Sequence, residues 1–215
     1  MKRRDFLGLG LAPVILASPV LASAALASPT RAAPVSTDQE IPKTAWASRA
    51  ARSGFLPNVP LVTHTGQHVR FYDDLVREKI VLLNFFMVGC TDGRCPTATA
   101  NLRKVQDLLG DRMGRDIFFL SISLQPKLDT PIILKEYAEN FSIKPGWTFL
   151  TGKPADIEHL RRSLGYAEDD PEIDKDPANH VGMARYGDDR LERWGAVSLN
   201  SKPSNIASTF KWLSI

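Results

Sequence analysis

Cys90 and Cys95 are the only two cysteines in the chain, and they stand where one sequence pattern gives way to another. Before them runs K-I-V-L-L-N-F-F-M-V-G (Lys79 to Gly89), an apolar stretch of the kind that forms a strand buried on both faces. After them Pro96 opens a helical pattern, with apolar residues at Leu102, Val105, Leu108 and Leu109. Both thiols are thus expected on the turn between a central strand and a helix N-terminus. There the positive end of the helix dipole favours thiolate, the form that binds soft metals or attacks disulfides. The plain alternative is a structural disulfide, although so short a loop gains little from closure.

Thiols need partners, and four histidines are available. His64 and His68 flank the Thr65-Gly66 turn and read as surface residues. His159 lies beside the Ile157, Leu160, Leu164 stripe of a helix and reads as solvated. His180 leaves an acidic, proline-punctuated loop (Glu168 to Pro177) and enters a strand pattern, a place from which a loop can fold over the thiols. Met87 and Met183 would offer weak thioethers, but methionines in strand patterns are usually core.

The elements that must position these groups alternate. Short strands are expected at Val59 to Thr63 and Val69 to Phe71, followed by the Lys79–Met87 strand and the Pro96–Leu109 helix. A second buried strand covers Asp116 to Leu124. Thr130 caps a helix with Pro131 at its first position that runs to Phe141. Trp147 to Leu150 is a short strand, and Pro154 opens a helix to Leu164. Val181 to Tyr186 and Leu191 to Trp194 read as a hairpin around Gly187-Asp188-Asp189, and a final helix spans Pro203 to Leu213. This order predicts an α/β thioredoxin-like fold, a central mixed sheet flanked by helices, with the thiols on the first strand–helix turn.

The N-terminus has its own logic. Lys2-Arg3-Arg4-Asp5-Phe6-Leu7 is a twin-arginine pattern followed by the uncharged stretch Phe6 to Pro29, with small-residue sites at Ala22-Ser23-Ala24 and Ala25-Leu26-Ala27. Residues 1–33 are read as a signal peptide and lead-in, 34–53 as a loose tether, and 54–215 as one folded domain. Export by the twin-arginine route to the periplasm is expected, with membrane association only if the signal stays uncleaved. Of the 27 basic and 24 acidic residues, residues 1–33 hold Lys2, Arg3, Arg4, Arg31 and Asp5, so the remainder carries 23 of each. The basic balance belongs to the signal, and nothing points to nucleic acid. A monomer is expected.

Six collinear segments resemble the SCO/SenC family: Phe55 to Thr63, Val69 to Leu75, N-F-F-M-V-G-C-T-D-G-R-C-P (Asn84 to Pro96), Asp129 to Ala138, Lys144 to Gly152, and N-H-V-G-M-A-R-Y-G (Asn179 to Gly187). The resemblance covers residues 54–213. It implies a thioredoxin-fold protein that binds copper through two cysteines and a histidine, here Cys90, Cys95 and His180, and that helps assemble the copper site of cytochrome c oxidase. Its partner would be the copper-bearing oxidase subunit or another periplasmic copper or thiol protein. Two thiolates and an imidazole form a soft set suited to Cu(I), with Cu(II) an alternative, and an incomplete shell lets the metal leave by ligand exchange.

Two departures stand out. The family pattern is C-x-x-x-C-P, whereas Thr91, Asp92, Gly93 and Arg94 here separate the cysteines by one extra residue. Gly93 can adopt positive φ and let the insertion bulge while the sulfurs stay close, within reach of a disulfide; the alternative is that the insertion moves one sulfur away from the metal position. The family's aspartate-proline step after its second strand is Gln125-Pro126 here, although Asp129-Thr130-Pro131 remains. Two other functions remain open for the same residues. One is a thiol-disulfide oxidoreductase or redox sensor with Cys90 and Cys95 as its catalytic pair. The other is a non-enzymatic partner-binding module with a structural disulfide.

Overall fold

The computed structural model describes residues 55–213. The twin-arginine pattern, the small-residue sites and the segment through residue 53 lie outside the described residues. Seven strands form one mixed sheet: β1 Pro60–Thr63, β2 His68–Arg70, β3 Ile80–Phe86, β4 Ile117–Ser123, β5 Trp147–Gly152, β6 Met183–Asp188 and β7 Arg193–Ser198. Their spatial order is β2-β1-β5-β4-β3-β6-β7. β3, β4 and β5 run parallel at the centre, while β1, β2, β6 and β7 pair antiparallel outside them. Among the described residues no helix is long and apolar enough to cross a membrane.

β3 shows why the centre holds. All seven of its residues are buried, because both faces of a central parallel strand are covered. Strand pleating sends Ile80, Leu82 and Phe86 to one face, where they meet α1 (Arg94–Leu109), α2 (Pro131–Asn140) and α5 (Pro203–Leu213). Val81, Leu83 and Phe85 go to the other face and meet α3 (Pro154–Ser163) and a wide helical turn over Phe71–Val76. The one polar side chain in the strand, Asn84, is satisfied: Ser121 Oγ donates to its Oδ1 at 2.8 Å, and Trp147 Nε1 donates to Ser121 Oγ at 2.9 Å. The thioredoxin-like α/β architecture expected from the element order is the one observed.

Several boundaries move for physical reasons. α1 begins at Arg94, not Pro96, because Gly93 takes φ +76° as its N-cap and its carbonyl accepts from Thr97 N at 3.1 Å. Pro96, in the first turn, has no amide to leave unpaired. Phe71 leaves strand geometry and starts the wide turn. The hairpin shifts toward the C-terminus: Gly187 is inside β6, because a Cβ there would lie 2.4 Å from the Trp194 ring that crosses it. The acidic loop is also more ordered than its composition implies. It holds a short helix, α4 Pro171–Asp174, capped by Asp170 accepting from Glu172 N at 2.8 Å. A 3-10 turn, Pro177–His180, follows, capped by Asp176 accepting from Ala178 N at 2.9 Å.

Candidate functional site

The carboxyl end of β3 feeds directly into the thiol turn, at the end of a parallel sheet where α/β proteins gather their functional groups. Gly93 supplies the tight reversal, and a side chain there would meet nothing within 4 Å, so its role is conformational. The reversal brings the two cysteines together despite the extra residue. Both are free thiols, Cys90 partly exposed and Cys95 2% exposed. Cys95 N donates to Cys90 Sγ at 3.3 Å, and Met87 N donates to Cys95 Sγ at 3.4 Å.

The expected thiolate preference does not hold for Cys95. Burial, reinforced by the Cys90 side chain, pushes its thiol up to about 12, outweighing the Met87 amide that favours the anion. Desolvation wins because Cys95 points into the core against Met87, Ala98 and Leu102, away from the solvated end of the helix. Cys90 faces outward and its Sγ donates to Asp92 Oδ1 at 3.0 Å. Asp92 also accepts Arg94 N at 2.9 Å and pairs with the Arg94 side chain, and these bonds, the Cys90 one foremost, hold its carboxyl down at about 2.

A polar layer underlies the pair. Tyr137 hydroxyl and Thr99 Oγ1 lie 2.9 Å apart. Burial lifts the tyrosine to about 12, with Cys95, Cys90 and Asp129 adding to the rise as nearby acids. Asp129, 2% exposed, accepts Ser123 Oγ at 2.5 Å and Val88 N at 3.3 Å, tying the loop after β4 to the residue that leads into the thiol turn. Its carboxyl is raised by burial, partly countered by those two donors.

The third expected group stands apart. His180 is buried, with Nε2 2.9 Å from the Asp174 carbonyl and 3.1 Å from Arg161 Nη1. Arg161 forks onto Asp174 at 2.6 and 2.8 Å and also binds Glu158. Among the described residues, no group of three or more His, Cys, Asp or Glu is placed to hold a metal ion. Cys90 and Cys95 are therefore brought together and His180 is not brought to them. The sulfur pair fits a soft thiophilic ion, with Cys90 as the accessible donor.

Other residues also find their places. Met87 is core, whereas Met183 is 43% exposed rather than packed. His68 and His159 are exposed as expected. His64 is half-buried, not a surface residue: its Nδ1 accepts Phe149 N at 3.2 Å, and burial lowers its pKa. Asp129, Arg161 and Asp174 were not singled out as site residues from sequence. Arg161 did carry a signal, because it sits one turn after Ile157 on the helix's apolar stripe, where an arginine must find buried partners.

A family model described as SCO1/SenC matches residues 51–185. The chain belongs to the SCO1/SenC family. A SCO2-like protein of Rickettsia felis is 33% identical over 148 residues, covering 66% of this chain and 69% of that one. The structure of Bradyrhizobium japonicum ScoI with copper bound aligns with a TM-score of 0.57 at 25% identity, over 74% of this chain and 98% of that chain. A SCO1/SenC family lipoprotein from Bacillus anthracis aligns with a TM-score of 0.61 at 24% identity, over 74% of this chain and 95% of that one.

Proposed function

We propose that this protein is a copper-handling metallochaperone of the periplasm that serves maturation of a respiratory oxidase copper site. The observation that carries the reading is the adjacent Cys90–Cys95 pair on the Gly93 reversal, in a chain similar to a protein solved with copper bound. Cys90 and Cys95 would hold the ion through sulfur, with His180 supplying an imidazole after leaving its present partners. Copper in the cuprous state supplies the soft acceptor that two sulfurs favour. The protein's own contribution is to keep Cys90 accessible, to shield Cys95 in the core, and to fix their spacing through Gly93 and Asp129. The twin-arginine pattern supports export of an already folded domain, and the copper-bearing oxidase subunit is the partner of matching chemistry.

Anaerobic titration of the reduced mature protein with Cu(I) against a chromophoric chelator tests the reading. One equivalent retained, and lost in Cys90→Ala and Cys95→Ala, is the expected result. A wild type that leaves all the copper with the chelator would refute it. The adjacency of two free thiols, with Cys95 N on Cys90 Sγ, favours a second reading, a dithiol–disulfide couple, which catalysed reduction of insulin would reveal.

A further inference from the structure

We infer that Arg161 and Asp174 form a clamp that holds the His180 ring away from the thiols, so that Arg161 acts as a positioning residue setting how readily a third ligand joins the Cys90–Cys95 pair. The inference rests on the copper reading above and deepens it.

The bonding around the ring carries the argument. Arg161 Nη1 has two hydrogens, and both are committed: one to Asp174 Oδ1 at 2.6 Å, the other to the Tyr166 carbonyl at 2.8 Å. It therefore has none left for His180, although it lies 3.1 Å from Nε2 and 3.5 Å from Nδ1. Near-equal distances to both ring nitrogens place the guanidinium nitrogen over the ring. The Asp174 carbonyl can only accept, so Nε2 carries the proton and donates to it at 2.9 Å. Nδ1 keeps its lone pair, and the ring borders a cleft beside α3, a space of about 550 Å³ lined by Leu124, Pro126, Glu158, Arg161 and Asp174 together with His180.

The backbone is on the other side of the matter. Ala178 and Val181 pack against the same apolar cluster as Cys90, Cys95 and Met87. Successive side chains of a 3-10 turn are about 120° apart, so within Pro177–His180 the imidazole does not share the face that Ala178 presents to that cluster. The segment is bracketed by Gly165 at φ +76° and Gly182 at φ +97°, two positions that permit backbone rearrangement. The residues on either side of His180 thus pack into the cluster that holds the thiols, while its own side chain is held among Arg161 and Asp174. What withholds it is one arginine fork and one carbonyl.

The experiment uses the full mature chain, reduced and anaerobic, with Cu(I) supplied from a competing chelator. Arg161→Lys keeps the charge but cannot fork to Asp174 and reach the Tyr166 carbonyl together. It should bind Cu(I) about two- to tenfold more tightly than wild type, the scale of one hydrogen bond lost from the competing state. The gain should vanish in the Arg161→Lys/His180→Ala double variant. Nitrogen-15 spectra of the wild-type histidines should show His180 with a pyrrole-type Nε2 and a pyridine-type Nδ1 before copper, and a changed ring signal after it. Equal or weaker binding by Arg161→Lys, or a gain that survives His180→Ala, would overturn the clamp. So would a His180 ring protonated at Nδ1 before copper is added. A wild type that retains no Cu(I) overturns the copper reading and the clamp's part in loading, and the copper-free ring spectrum distinguishes that outcome from a misassigned clamp.

Discussion

Alkylation of the reduced protein offers a direct test of how burial divides the labour between two adjacent cysteines. An unperturbed thiol near 9.0 and one raised to about 12 differ by three units, so Cys95 carries about a thousandfold less thiolate than an ordinary cysteine at pH 8. Restricted access adds to this, since Cys95 is 2% exposed. Iodoacetamide should therefore label Cys90 and leave Cys95 essentially untouched on the same timescale. Trypsin cuts after Arg94 and places the two cysteines in separate peptides, so mass spectrometry reads each site independently. The Cys95 rate should still be climbing about tenfold per unit between pH 8 and 10, because the thiol is far from half-ionised. Labelling of Cys95 within tenfold of Cys90, or a Cys95 rate that levels off below pH 10, would refute desolvation as the controlling effect. The same shift carries a stability consequence with a definite sign. The folded-state pKa lies above the unfolded one, so its contribution is fully present below about 9 and is lost as pH rises toward about 12. Alkaline denaturation of the reduced protein should begin in that window and shift upward in Cys95→Ala.

Gly93→Ala should destabilise the protein by about 1–2 kcal/mol in urea denaturation, because the space is open and only the φ +76° backbone resists a Cβ. Asp129→Ala should cost about 1–3 kcal/mol by stranding Val88 N and Ser123 Oγ, whereas Asp129→Asn retains an acceptor oxygen and should stay near wild type at pH 7. Burial raises the Asp129 pKa, so this group's contribution is present below the unfolded carboxyl pKa and is lost as pH rises through the folded one; the asparagine variant should flatten that part of the stability profile. Mild oxidation should join Cys90 to Cys95 within one chain, stabilising the fold by no more than about 2 kcal/mol given so short a loop, as read by thermal melting of the oxidised and reduced forms. Dimers linked between chains instead would contradict the adjacency of the two sulfurs.

The sequence by itself determined much of the frame. A run as apolar as Ile80–Phe86 can only be a strand covered on both sides, and Thr130-Pro131 and Pro154 announce helix starts because their backbone constraints suit a first turn and little else. The position of the thiols at the end of β3 followed from that pattern, and so did the use of Gly93, since only a residue free to take positive φ accommodates the inserted position. Ionisation and partnership were decided by tertiary structure. The helix-terminus argument spoke for a thiolate at Cys95, but the side chain turns into the core and desolvation outweighs the dipole. His180 could be found as a candidate, yet its direction depends on Arg161, 19 residues earlier, and on Asp174 in a turn that composition reads as a plain acidic loop. Asp129 looks like a helix-capping neighbour in one dimension and becomes the tie beneath the thiol turn only when β3 and β4 lie side by side. Local propensity depends on a residue and its near neighbours and is written along the chain. Burial, and the partner a buried charge must find, depend on what the fold brings from elsewhere.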